Sequence, residues 1–273
     1  AHIACYASSG RDLRYLSQQA DASWLPETPD GPDEVGRYSA IAFDPAGVPH
    51  IAYYNSTDEN LMFATRQSAG GWIVQVVDAG DGDDGQVGEH SSLEFDDAGT
   101  AHVSYYDKAN KDLMYARRPS GGAWVVERVD ASSDVGQYTS LAVGPGGRVH
   151  VSYYDASDKN LKYAVRQGDG TWILQTVVSD GNVGKHTSLA LDASGVPHIS
   201  FYGESDRDFL YASELAPGSW VTKAIETAGD VGKEGSLAFG PDGAARVSYY
   251  DETGKDLKFA IQLPDESWAI QTA

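Results

Sequence analysis

Residues 135–178 read VGQYTSLAVGPGGRVHVSYYDASDKNLKYAVRQGDGTWILQTVV, and residues 183–226 read VGKHTSLALDASGVPHISFYGESDRDFLYASELAPGSWVTKAIE. The two stretches align without an internal gap, 48 residues apart. The same register recurs at each Val-Gly pair, at positions 35, 87, 135, 183 and 231, so the spacing is 52 once and 48 thereafter. Tryptophans at 24, 72, 124, 172, 220 and 268 mark six copies independently. The extra copy is the N-terminal AHIACYASSGRDLRYLSQQADASWLPETPD, which aligns with residues 49–78 and lacks only the opening third of the unit. Self-similarity at a fixed period is the mark of a repeat architecture, so the unit decides the fold.

Each unit divides into four short runs separated by Gly, Asp, Pro and Ser, the pattern of strands joined by tight turns. In the first full copy they are YSAIAFD, HIAYYN, LMFATRQ and WIVQVVD, here strands A to D. In strand A the small Ser140 and Ala142 alternate with Leu141 and Val143, which predicts a sheet buried on both faces, with a close neighbour on one. No stretch has helical periodicity. The expected fold is all-β: a six-bladed β-propeller of four-stranded antiparallel blades whose first blade lacks its innermost strand. One domain spans 1–273, with blades at 1–30, 31–78, 79–130, 131–178, 179–226 and 227–273. A linear solenoid is the rival. Closure is favoured because the last unit ends at strand D without a polar cap and the first begins mid-unit. The open inner edge of the first blade predicts that the chain is a piece of a longer propeller, or that a strand of a neighbouring molecule pairs there in self-association.

The pattern D-x-x-G-x-P-H-[IV]-[AS]-Y-Y-D followed by L-x-Y-A resembles the repeats of secreted bacterial propeller proteins, distantly similar to sialidase-type and NHL-type propellers. The resemblance covers the whole chain and implies a fold, not an activity. The sialidase pattern S-x-D-x-G-x-x-W is not present, and propellers host many unrelated functions.

Composition narrows the partners. Forty acidic against 20 basic side chains leave a net charge of −20, with no basic patch to draw in nucleic acid or an anionic membrane. The single Cys5 excludes an internal disulfide, and no run nears the roughly 18 apolar residues of a membrane span. The chain opens without a basic-then-apolar leader. Acidity with many Gly, Ser and Asp suits an extracellular or periplasmic protein, whose partner would be a glycan or another protein.

Strand direction sends the D–A linker and the B–C loop to one face and the A–B and C–D turns to the other. On the first face, at the start of strand A, the repeat varies: Tyr38, His90, Tyr138, His186 and Glu234 are equivalent, preceded by Arg37, Glu89, Gln137, Lys185 and Lys233. Two imidazoles, a carboxylate and flanking lysines converging on a central channel would serve a binding site, a zinc ion, or an acid–base lyase or hydrolase using His90, His186 and Glu234. The four extra residues of the longer spacing fall in DAGDGDDGQVGEH, where Asp81, Asp83 and Asp84 offer oxygens to calcium, with Gly82 and Gly85 allowing the loop to fold around the ion.

Tyrosines end strand B in all six units, three of them followed by Asp: Tyr106-Asp107, Tyr154-Asp155 and Tyr250-Asp251. Aromatic rings beside carboxylates are one way to stack and hydrogen-bond a pyranose, and several copies would bind multivalently; packing between blades is the alternative. The repeated His2, His50, His102, His150 and His198 stand a blade apart, too far to share a zinc ion at Zn–N distances of about 2.0 to 2.1 Å, and read as turn histidines bonded to local backbone. No G-x-S-x-G, H-E-x-x-H or C-x-x-C occurs. A non-enzymatic propeller binding glycan or protein is the first expectation, the funnel enzyme the second and a structural scaffold the third.

Overall fold

The computed structural model describes residues 1–31, 33–80 and 85–273, and its strands fall where the repeat places them. Blade 1 holds β1 (His2–Ala7), β2 (Asp12–Gln18) and β3 (Trp24–Asp30). Blade 2 holds β4 (Val35–Phe43), β5 (Pro49–Asn55), β6 (Asn60–Arg66) and β7 (Trp72–Asp78), and blade 3 holds β8 (Val87–Phe95), β9 (Ala101–Asp107), β10 (Asp112–Arg118) and β11 (Val125–Asp130). Blade 4 comprises β12 (Val135–Val143), β13 (Val149–Asp155), β14 (Asn160–Arg166) and β15 (Trp172–Val178). Blade 5 comprises β16 (Val183–Leu191), β17 (Pro197–Gly203), β18 (Asp208–Ala216) and β19 (Ser219–Glu226); blade 6 comprises β20 (Val231–Phe239), β21 (Ala245–Asp251), β22 (Asp256–Gln262) and β23 (Trp268–Thr272). Each sheet is an antiparallel meander in chain order, and among the described residues β1 pairs with β2 alone. The fold class is the six-bladed β-propeller, with a three-stranded first blade. Contacts divide the chain into two compact units, Ala1–Ser132 with blades 1 to 3 and Ser133–Ala273 with blades 4 to 6.

Within each unit the repeat residues do the packing between blades. The Val of every Val-Gly pair is buried, and the Gly that follows has φ between 101° and 111°. A Cβ on Gly88 would lie 2.8 Å from Leu61 Cα, and one on Gly184 2.7 Å from Leu161 Cα, so both the dihedral and the close approach to the preceding blade demand glycine. Tryptophan from strand D sits edge-on against an aromatic ring of the preceding blade: Trp72 on Tyr15 and Trp124 on Phe63 in the first unit, Trp220 on Tyr163 and Trp268 on Tyr211 in the second. The small residues of strand A also bond. Leu189 N donates to Ser140 Oγ at 3.0 Å and Leu237 N to Ser188 Oγ at 2.9 Å, tying consecutive inner strands.

In blades 2 to 6 strand B carries two adjacent aromatic residues, both buried in all but blade 6. The first reaches back to an acid at the end of strand D of the preceding blade: Tyr53 to Asp30 at 2.5 Å, Tyr105 to Asp78 at 2.5 Å, Tyr249 to Glu226 at 2.6 Å. In blade 5 the tyrosine is Phe201, and the residue at the acid's position is Val178, which packs against the cluster containing Phe201. Hydroxyl and acid are lost together, as expected where a buried polar group without its partner is costly.

Candidate functional site

Strand A does not run straight into its sheet. In blade 2 Arg37 pairs with Tyr54 and Ala40 with Ala52, so two residues of β4 bulge opposite one of β5, and the same break recurs in every strand A. The bulged residues are Tyr38, His90, Tyr138, His186 and Glu234, all left-handed with φ between 51° and 57°. Five non-glycine residues in a sparsely populated region mark a backbone held by its surroundings. In the first unit the Tyr38 and His90 ring centroids lie 4.6 Å apart. In the second, Tyr138 and His186 repeat that contact at 4.6 Å, and His186 Nδ1 stands 3.3 Å from Glu234 Oε1. Within each unit the variable position thus forms a ladder from blade to blade, with Tyr38 42% exposed in the first.

Beside four of the bulges lies a second polar cluster. At the boundary of blades 1 and 2, Tyr6 donates to Glu34 at 3.4 Å, Arg37 Nε donates to the same carboxylate at 3.1 Å, and the guanidinium lies 4.9 Å over the Tyr6 ring. Arg37 and then its charge hold the Glu34 carboxyl below its usual range. At the boundary of blades 4 and 5, Tyr154 donates to Asn182 at 2.7 Å, Lys185 pairs with Glu204 at 2.8 Å, and the ammonium is 5.6 Å from the Tyr154 ring. Burial, then the Glu204 charge, pushes the Tyr154 hydroxyl up to about 12. At the boundary of blades 5 and 6, Tyr202 donates to Asp230 at 2.8 Å, Lys233 pairs with Asp230 at 3.0 Å, and Lys233 lies 5.5 Å over Tyr202. Burial acts to raise Asp230, but the bonds from Tyr202 and Lys233 outweigh it and lower its pKa. Blades 2 and 3 invert the charges: strand A supplies Glu89, and Lys108 of the B–C loop pairs with it at 3.1 Å.

The expected residues therefore have three different surroundings. Arg37, Glu89, Lys185 and Lys233 lie in the boundary clusters, while Tyr38, His90, Tyr138, His186 and Glu234 form the bulge ladders beside them. Tyr106 and Tyr154 are 4% and 3% exposed, so their ring faces are covered; Tyr250 is partly open. Asp107, Asp155 and Asp251 are buried and close the B–C loop, accepting the backbone N–H groups of Asn110, of Ser157 and Asp158, and of Gly254. Asp81, Asp83 and Asp84 lie outside the described residues. Among the described residues no three His, Cys, Asp or Glu side chains gather to hold a metal.

The sequence reading missed Glu34, Asn182 and Asp230. Their signal is visible in retrospect: the residue before each Val-Gly is polar, three positions ahead of the variable charge. The repeated histidines also differ from expectation. They bond side chains rather than local backbone: His102 Nδ1 meets the Tyr115 hydroxyl at 2.6 Å and His198 Nδ1 that of Tyr211 at 2.6 Å, while Nε2 faces Asp96 at 3.4 Å and Asp192 at 3.6 Å. The imidazoles also pack on an aromatic ring of the following blade, His50 on Phe95 at 4.7 Å and His198 on Phe239 at 4.9 Å.

No family model and no curated protein sequence matches the chain. Solved structures do. A variant of the Aleuria aurantia lectin in complex with Fucα1-6GlcNAc superposes with a TM-score of 0.64 at 14% identity, over 99% of this chain and 90% of that one. The SapL1 lectin in complex with α-methyl fucoside gives 0.60 at 15% identity, over 100% and 95%. A protein from Lactobacillus plantarum gives 0.65 at 12% identity, over 99% and 81%. At such identities the likeness speaks for the shared propeller fold.

Proposed function

We propose that this protein is a non-enzymatic carbohydrate-binding propeller whose sites are the blade-boundary clusters on the face of the D–A linkers and B–C loops. The observation that carries the reading is the constellation of a hydrogen-bonded tyrosine, a carboxylate or amide, and a cation, built at three boundaries around Arg37, Lys185 and Lys233. Charged groups already fixed by one another present donors and acceptors to vicinal hydroxyls at small ordering cost, and hydrogen bonds to charged groups are the stronger kind. The rings of Tyr6, Tyr154 and Tyr202 back the cations, and Tyr38, exposed at 42%, offers a face for stacking on a sugar. Repeated sites on one chain raise avidity for multivalent glycans. The similar lectins were solved in complex with fucosides, which makes α-fucosides the first probes.

The reading places the protein outside the cytoplasm, where such glycans are displayed; no helix among the described residues is long and apolar enough to cross a membrane. The free side of β1 is the proposed route of self-association, to be checked by the concentration dependence of the mass in solution. The glycan test is an array of the wild-type protein beside the triple variant Arg37→Ala, Lys185→Ala, Lys233→Ala. Wild-type signal on multivalent glycans that the variant loses, with little change in melting temperature, is expected. A blank array, or undiminished binding by the variant, overturns the reading.

A further inference from the structure

On the face of the A–B and C–D turns, blades 4 and 5 enclose a cleft of about 440 Å³, at a place where blade 4 departs from its siblings. In blades 2, 3 and 5 the strand-B histidine has an aspartate beside Nε2: Asp44 at 3.3 Å, Asp96 at 3.4 Å and Asp192 at 3.6 Å. In blade 4 that position is Gly144. His150 lines the cleft at 5% exposure and keeps its Nδ1 contact with the Tyr163 hydroxyl at 2.5 Å, while among the described residues its Nε2 has no carboxylate. Burial, then the Arg148 charge, lowers its pKa to about 4, so at neutral pH the ring is uncharged and Nε2 is free to serve a ligand.

Two opposite charges line the cleft with this ring pair. Arg148, among the described residues, makes no ion pair. Glu214 spends one oxygen on the Gly218 N–H at 2.7 Å. Burial raises the pKa of the Tyr163 hydroxyl, the Glu214 charge adds to the rise and the Arg148 charge opposes it, so both charges act on this group. The remaining wall is apolar and open: Ile173 is 47% exposed and Leu215 73%. Leu215 lies on β18, which runs nine residues where β6, β10, β14 and β22 run seven, so the C–D hairpin of blade 5 extends further than its counterparts.

We propose that this cleft binds a small zwitterion with an apolar side chain, an α-amino acid, its carboxylate on Arg148 and His150 Nε2, its ammonium on Glu214 and its side chain against Ile173 and Leu215. An α-amino acid carries both charges on one carbon, so a cleft lined by a cation, a carboxylate and a neutral imidazole selects against molecules that carry only one charge. The site uses none of the residues of the glycan clusters and stands or falls separately from them.

The experiment is calorimetric titration of the whole chain with L-leucine, 4-methylpentanoate and 3-methylbutylamine, the last two lacking one charge each. Saturable binding of L-leucine is expected, with affinity lower by about tenfold or more for either half-charged analogue, the loss that follows removal of a hydrogen bond to a charged group. Arg148→Ala and Glu214→Ala should weaken L-leucine by similar factors with an unchanged melting temperature. Gly144→Asp, which returns the carboxylate present in the sibling blades, should weaken it as well. No saturable L-leucine binding, equal binding of 4-methylpentanoate, or full affinity in Arg148→Ala would overturn the proposal.

Discussion

Between blades 2 and 3, strand A offers Glu89 to Lys108 of the following loop; between blades 4 and 5, Lys185 occupies the place of Glu89, and Glu204 that of Lys108. The backbone beneath is the same at both: a buried Val, a left-handed Gly packed on a leucine Cα, and a bulge with a left-handed His. An exposed pair keeps its attraction when the charges trade places, so folding tolerates either polarity. A bound ligand is not symmetric in that way. The buried half of a boundary is therefore dictated by shape, and the exposed half is open to selection for what it binds.

The largest effect should be common to both boundaries. Gly88→Ala and Gly184→Ala each place a methyl within 2.8 Å and 2.7 Å of a leucine Cα at φ of 111° and 105°, and each should cost about 3 kcal/mol or more in chemical denaturation. A mild loss at one of them would break the equivalence of the two backbones.

Next is a pH effect from the boundary of blades 4 and 5. The folded pKa of His150, about 4, lies below its ordinary 6.5, so the native state holds fewer protons than the unfolded chain. Its contribution is complete above pH 6.5 and is lost as pH falls toward 4, amounting to about 3 kcal/mol. Denaturant midpoints across that window should fall for wild type and fall less for His150→Gln.

A smaller effect separates the boundaries through the buried tyrosine. Phe201→Tyr puts a hydroxyl where Val178 cannot accept it and should destabilise by about 1–3 kcal/mol, with part recovered on adding Val178→Asp. Additivity in that double-mutant cycle would sink the idea that tyrosine and acid are coupled across the boundary. The smallest effect is the charge reversal itself. Lys185→Glu should cost under about 1 kcal/mol, and Glu204→Lys in the same chain should restore it, converting the boundary to the polarity of Glu89 and Lys108. If the clusters bind sugar, the stability-neutral double exchange still alters glycan-array signal.

Much of this was legible beforehand because the period exposes every departure from itself. Strand limits, blade count and the three-stranded first blade follow from Val-Gly and Trp spacing, and the face carrying the variable residues follows from strand direction. The positions that vary, Arg37, Glu89, Lys185 and Lys233, are those the structure brings to the boundaries. Less legible were the partners. Glu34 and Asp230 escaped notice because a polar residue before a turn is ordinary, and only the bulge of strand A brings the next charge back toward it.

What the sequence determined by itself is the repeating local structure: alternation of side chains and turn residues at fixed offsets act over a few residues, and each copy states them again. Only the tertiary structure decided that the tyrosines of strand B face two different acids, Tyr202 turning to Asp230 and Tyr249 to Glu226. It also decided that Gly144 strips His150 of a carboxylate its siblings keep, and that Tyr38, His90 and Glu234 share one left-handed conformation despite unlike side chains. These are contacts between strands a turn or a blade apart, where the energy depends on which group arrives opposite which. A linear pattern carries the period of such contacts, and packing supplies their partners.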